Sequence, residues 1–190
     1  KEERAKASKI LTGPAVAFAG DREVFIEQLK HALYMAKIIS YTQGYMLMRE
    51  AAGTYGWNLD YGSIAAMWRG GCIIRSVFLD KIKNAYSKDT ALSNLLFDEF
   101  FANAVTSAEG DLRSVVATAI SQGVSVPTLS AAINFYDGFR SERLPANLLQ
   151  AQRDFFGAHT YERIDKSRGE IFHTNWTGVG SQTSSSTYQV

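Results

Sequence analysis

Arg153 and His159 are the side chains of this sequence best suited to grip an anion. A guanidinium presents a planar fork that matches two phosphate oxygens at once, and an imidazole within reach adds one more hydrogen bond. Six residues do not share one helix face, so both address a single anion only if the chain turns back after Gly157. Taken singly, Arg153 reads as a solvated helix-face arginine with a buried stem and His159 as a loop residue. Spacing alone does not choose between these readings. The other two histidines, His31 and His173, have no partner that the sequence names. There is no His-Glu-x-x-His, no Cys-x-x-Cys and no glycine-rich strand-to-helix loop, so the residues offer neither a metal site nor a self-contained catalytic centre. Gly70-Gly71 lacks the spacing of a dinucleotide loop and reads as a helix break or a close packing point. Arg69 and Arg75 flank it and are expected to pair with Asp80 or Asp98 rather than to hold a ligand.

These groups must be positioned by helices. From Asp21 to about Gly53 there is no proline, and Leu29, Leu33, Ala36, Ser40, Gly44, Leu47 and Ala51 recur at steps of three or four, which predicts one long helix of roughly 50 Å. Its small residues would let a neighbour approach closely. Asp21 is the expected N-cap, and Gly53 or Gly56 the left-handed end. Asn58 and Asp60 offer the next caps, before an apolar segment from Ile64 to Trp68. Ile73, Ile74, Val77, Phe78 and Ile82 again have helical spacing. Thr90 opens a further candidate helix carrying Leu95, Leu96, Phe97, Phe100 and Phe101, and Leu112–Ile120 follows, closed by Gly123. Pro127 and Pro145 open helices over Thr128–Phe139 and Ala146–Phe156, and Gly157 stops the second. Trp57, Trp68, Tyr41 and Tyr45 are expected as core or interface aromatics.

No window alternates apolar and polar residues as a strand would, so the fold class is all-α: a multi-helix domain with one long central helix and an extended C-terminal tail. The helical part is expected to span 1–165. After about Lys166 the composition turns to Gly, Ser, Thr and Gln, giving a tail over 166–190 whose Phe172, Trp176 and Tyr188 could be ordered against another surface.

A chain of 190 residues with 46% hydrophobic content can fill one core. A formal net charge of +1 leaves no broad cationic surface for nucleic acid, and no apolar run is long enough to cross a bilayer, so a soluble protein is expected. Cys72 is the single cysteine, which suits a reducing compartment. The opening Lys1-Glu2-Glu3-Arg4, without an initiator Met or signal sequence, suggests that an upstream portion has been removed.

Three long segments carry a resemblance: Tyr61–Ser76 (YGSIAAMWRGGCIIRS), Leu144–Tyr161 (LPANLLQAQRDFFGAHTY) and His173–Gly178 (HTNWTG). In that order they closely resemble the decarboxylating 6-phosphogluconate dehydrogenases. The resemblance implies a cytoplasmic homodimer of the pentose phosphate pathway and of gluconate utilization. Each subunit would carry an N-terminal dinucleotide-binding domain, a large helical domain and a tail that crosses into its partner. The present chain corresponds to the second half of the helical domain and that tail. The implied oxidoreductase reaction takes 6-phosphogluconate and NADP, loses carbon dioxide from the 3-keto acid and releases ribulose 5-phosphate, with no metal. On the same basis Arg153 and His159 match residues that reach the partner's substrate at its phosphate end. Ser185, Ser186, Thr187 and Tyr188 match a tail segment placed near the partner's coenzyme. The family's catalytic lysine and glutamate have no counterpart in this chain, so it is expected to be inactive alone, with no catalytic residue of its own. The alternative is a non-catalytic helical module that serves dimerisation.

Overall fold

The computed structural model describes residues 1–176, and these fall into two compact units, one over Lys1–Asp137 and one from Gly138 onward. In the first unit α1 (Glu2–Ala7) is followed by α2 (Arg22–Tyr55), α3 (Tyr61–Trp68), α4 (Leu79–Lys88), a 3-10 turn (Leu95–Phe97), α5 (Glu99–Ser121) and α6 (Pro127–Phe139), whose last residues, Gly138 and Phe139, fall past the unit boundary. The second unit holds α7 (Asn147–Gly157), β1 (Tyr161–Glu162) and β2 (Ile171–Phe172).

The strut expected from the sequence is α2, 34 residues long. Asp21 caps it by accepting from the amides of Glu23 at 2.8 Å and Val24 at 3.0 Å, so two orphan donors are satisfied by one carboxylate. Gly56, at φ 67°, ends it, since a left-handed residue is easiest for glycine. The buried residues are Ala32, Met35, Ile38, Ile39, Thr42, Tyr45 and Ala52, and the helix packs along α5, whose buried residues include Phe101, Val105, Ala108, Leu112 and Val115. Leu33 and Leu47, both in the stripe expected to face inward, are exposed. The core face lies about one residue to the side, where the larger side chains are. Periodicity finds a helix but does not say which of two neighbouring apolar stripes a partner helix will cover.

α3 packs on α4, with Asp60 capping at Ser63. Tyr45, Trp68, Tyr61 and Tyr86 form one ring cluster, with Tyr45 stacked on Tyr86 at 5.4 Å, while Tyr41 meets Trp68 and Phe78 edge-on. Trp57 is instead half exposed against Tyr55. Arg69 pairs with Asp80 as expected.

The remaining boundaries differ from expectation. The helical spacing through Ile73 and Val77 does not form a helix. The segment after Trp68 is irregular, Ile73 and Val77 are almost fully exposed, and α4 begins only at Leu79. Gly71 at φ 69° breaks the chain there, and no neighbour approaches either glycine, so the pair is a break and not a packing point. The helix expected from Thr90 starts at Glu99. Asn94 first caps the 3-10 turn through the Leu96 amide, then Asp98 caps α5, which runs unbroken to Ser121. Two local acceptors thus outcompete the helical pattern around Leu95 and Leu96. The fold is all-α apart from the two-residue antiparallel pair β1 and β2, in register Tyr161↔Phe172 and Glu162↔Ile171. Strands this short are invisible to an alternation test.

Candidate functional site

α7 begins after Pro145, with Ala146 as its N-cap, and ends at Gly157. Gly157 remains helical. The left-handed residue that turns the chain is Ala158, at φ 50°, followed two positions later by Thr160 at φ 63°. Side-chain-bearing residues enter this region at a cost of roughly 1–2 kcal/mol each, and a β-branched threonine does so rarely. Such a turn persists only where its surroundings hold it.

What holds it is Asp154, whose side chain is fully buried. One carboxylate oxygen accepts from the Thr160 amide at 3.0 Å and from His173 Nδ1 at 2.8 Å. The other accepts from the Thr174 amide at 3.0 Å and from Trp176 Nε1 at 2.9 Å. The Asp154 carbonyl also accepts from the Ala158 amide at 2.9 Å. Both left-handed residues are therefore bonded to Asp154. Burial by itself would raise the carboxyl pKa. The bonds from Thr174, His173, Trp176 and Thr160 outweigh that effect and hold it at about 2. Gln150 Nε2 donates to the Thr160 carbonyl at 2.5 Å, and Tyr161 Oη lies 2.6 Å from Thr174 Oγ1, so the turn is tied on both sides.

Arg153 stands beside Asp154 on the last turns of α7, with its guanidinium exposed and donating to Gln150 Oε1 at 3.3 Å. His159 lies between the two left-handed residues, half-buried, and its ring packs on Gly157, where an added Cβ would come within 2.8 Å of Nε2. The chain does turn back, as joint action of these residues requires. A helix C-terminus carries negative partial charge, so an anion here gains nothing from the helix dipole. Side chains must supply the attraction, by the charge of Arg153 and a hydrogen bond from the His159 ring.

His173, without a partner on sequence grounds, is bonded to Asp154, and His31 to Asp111 at 2.6 Å. Asp154, Thr174 and Trp176 were not legible as a network, because one buried carboxylate serving donors up to 22 positions away leaves no spacing signature. Ser185, Ser186, Thr187 and Tyr188, expected near the coenzyme, lie outside the described residues. A groove of about 630 Å³ in the same unit is lined by Asn147, Gln150, Tyr161 and Trp176 among others, but not by Arg153 or His159. Among the described residues no group of three His, Cys, Asp or Glu could hold a metal ion, and no helix is long and apolar enough to cross a membrane.

Helices around a long strut, followed by a turn pinned by a buried carboxylate next to an arginine and a histidine, define a largely all-α module. The family model of the 6-phosphogluconate dehydrogenase C-terminal domain matches residues 1–176, and the chain belongs to that family. It is 59% identical over 190 residues to the decarboxylating 6-phosphogluconate dehydrogenase of Ceratitis capitata and 60% over 189 residues to that of Cunninghamella elegans. These alignments cover 100% and 99% of the chain but 39% of each relative, so the chain spans well under half of their length. The Plasmodium falciparum 6-phosphogluconate dehydrogenase superposes with a TM-score of 0.84 at 40% identity, over 92% of this chain and 38% of that one. That enzyme has been solved in its apo form, with its cofactor NADP+ and with its substrate 6-phosphogluconate.

Proposed function

We propose that the chain is the C-terminal portion of an NADP-dependent enzyme that oxidatively decarboxylates 6-phosphogluconate to ribulose 5-phosphate. In this reading it works in the cytoplasm, in the pentose phosphate pathway, as a homodimer. Arg153 and His159 supply the grip on the phosphate end of a substrate held mainly by the other subunit. Residues 166–190 are the tail that reaches the partner, with Ser185, Ser186, Thr187 and Tyr188 near its coenzyme, and 1–165 is the helical part. The observation that supports the reading is the turn after Gly157, where the Thr160 amide bonds to Asp154, so that the sequence neighbours of the two bonded residues are Arg153 and His159.

When bound, NADP accepts the hydride. Among the described residues no strand leads into a glycine-rich helix start able to cradle a dinucleotide. The contribution of this chain is binding and orientation. A phosphate remote from the reacting carbons is held much alike in the ground and transition states, so these contacts act mainly on KM. The test uses this chain completed to its relatives' length with the preceding portion of the Cunninghamella elegans relative, termed the completed enzyme below. Arg153→Ala is expected to raise KM for 6-phosphogluconate by about 10–100-fold, the worth of one charge-assisted hydrogen-bonding group, with a smaller change in kcat. An unchanged KM removes the phosphate role.

A further inference from the structure

We propose that Asp154 is a positioning residue that couples the grip on the substrate anion to the docking of the C-terminal segment. The inference rests on the function proposed above and adds a device to it. One oxygen of this buried carboxylate is shared between the Thr160 amide, next to His159, and His173. The other is shared between the Thr174 amide and the Trp176 indole. Two stretches of chain, 158–160 and 173–176, thus have one anchor. Neither can move off it without leaving the other with an altered acceptor.

The strain in the turn sharpens the argument. Ala158 and Thr160 both hold left-handed backbone on either side of His159, and each amide is bonded to Asp154, one to its carbonyl and one to its carboxylate. Without the carboxylate, Thr160 has less reason to stay at positive φ, and relaxation there rotates the peptide carrying His159. An anion that fixes His159 therefore favours the bonded state of Asp154, and with it the docked state of 173–176. Linkage makes the effect reciprocal: a docked segment favours the anion-ready turn.

The test measures amide hydrogen exchange at Thr160 and Thr174, and kinetics, in the completed enzyme and its Asp154→Asn variant. In the unsubstituted protein, saturating 6-phosphogluconate is expected to slow exchange at Thr174 as well as at Thr160. In Asp154→Asn the response at Thr174 should disappear. KM for 6-phosphogluconate should rise by about tenfold, with kcat falling by a smaller factor, because the grip is misplaced and not removed. Trp176→Phe, which deletes one donor and keeps a ring, should shift both readouts in the same direction by less, and it answers the question if Asp154→Asn does not fold. An unchanged KM in both variants, or a Thr174 amide indifferent to substrate in the unsubstituted protein, overturns the coupling. If Arg153→Ala raises KM while the Asp154 and Trp176 variants do not, the phosphate reading stands and the positioning role alone is lost.

Discussion

Replacing Gly157 by alanine sets stability and affinity against each other, and the structure gives the sign of each. Gly157 is the last helical residue of α7. Alanine is favoured over glycine in a helix by up to about 1 kcal/mol, so the backbone should gain from the change, less at a helix end than in its middle. The new Cβ would, however, lie 2.8 Å from His159 Nε2 and 3.0 Å from Cδ2, contacts that carbon does not make. The imidazole is the movable partner and must swing aside by several tenths of an ångström. A hydrogen bond to phosphate tolerates little of that, since it weakens steeply outside its normal distance and angle. Losing one charge-assisted bond of roughly 1.5–3 kcal/mol corresponds to a rise in KM of about 10–100-fold. The assay is steady-state NADPH formation in the completed enzyme, beside thermal denaturation of the same samples. The expected result is a raised KM for 6-phosphogluconate with an unchanged or slightly higher Tm. A KM that stays put while His159→Ala raises it would refute the reasoning, because the ring's seat on Gly157 would then be irrelevant to binding.

Acid should open the terminal segment before it unfolds the helices. Asp154 is depressed to about 2 from the ordinary 3.8, so its contribution is fully present above pH 4 or so and is lost as pH falls toward about 2. Amide exchange at Thr160 and Thr174 between pH 5 and pH 2 checks this, and protection that is flat across the window contradicts it. On the buried face of α2, Ile38→Ala should destabilise the first unit by about 2–5 kcal/mol in chemical denaturation, since Ile38 is fully buried and its removal leaves a cavity. Leu33→Ala, on the exposed side of the same helix, should change stability by well under 1 kcal/mol.

The helices were legible where one signal dominated. Asp21 and Gly56 bound α2 as an N-cap acid and a left-handed glycine do, and Pro127 opens α6 from its first position. Legibility failed where two signals competed. Ile73 and Val77 have helical spacing, yet they follow a glycine at φ 69° and remain in an irregular exposed segment. Leu95 and Leu96 look helical, but the Asn94 and Asp98 side chains claim the local amides first. At the site, arginine and histidine could be singled out because their chemistry is visible in their type. Asp154 could not, for a buried aspartate and a surface aspartate are the same letter, and its importance comes from donors brought in by the return of the chain through β1 and β2. The turn was expected after Gly157 and is found there, but its left-handed residue is Ala158 and not the glycine, and the bonds to Asp154 offset the strain that glycine would have avoided.

The most direct measurement is the discrimination between 6-phosphogluconate and gluconate, which differ by the phosphate, in the completed enzyme with and without Arg153→Ala and His159→Ala. If these two side chains hold the phosphate, each substitution weakens binding of 6-phosphogluconate and leaves the weak binding of gluconate nearly unchanged, so the preference narrows by about tenfold or more per residue. If both ligands weaken by the same factor, or neither does, the anion is held elsewhere and the central claim is wrong.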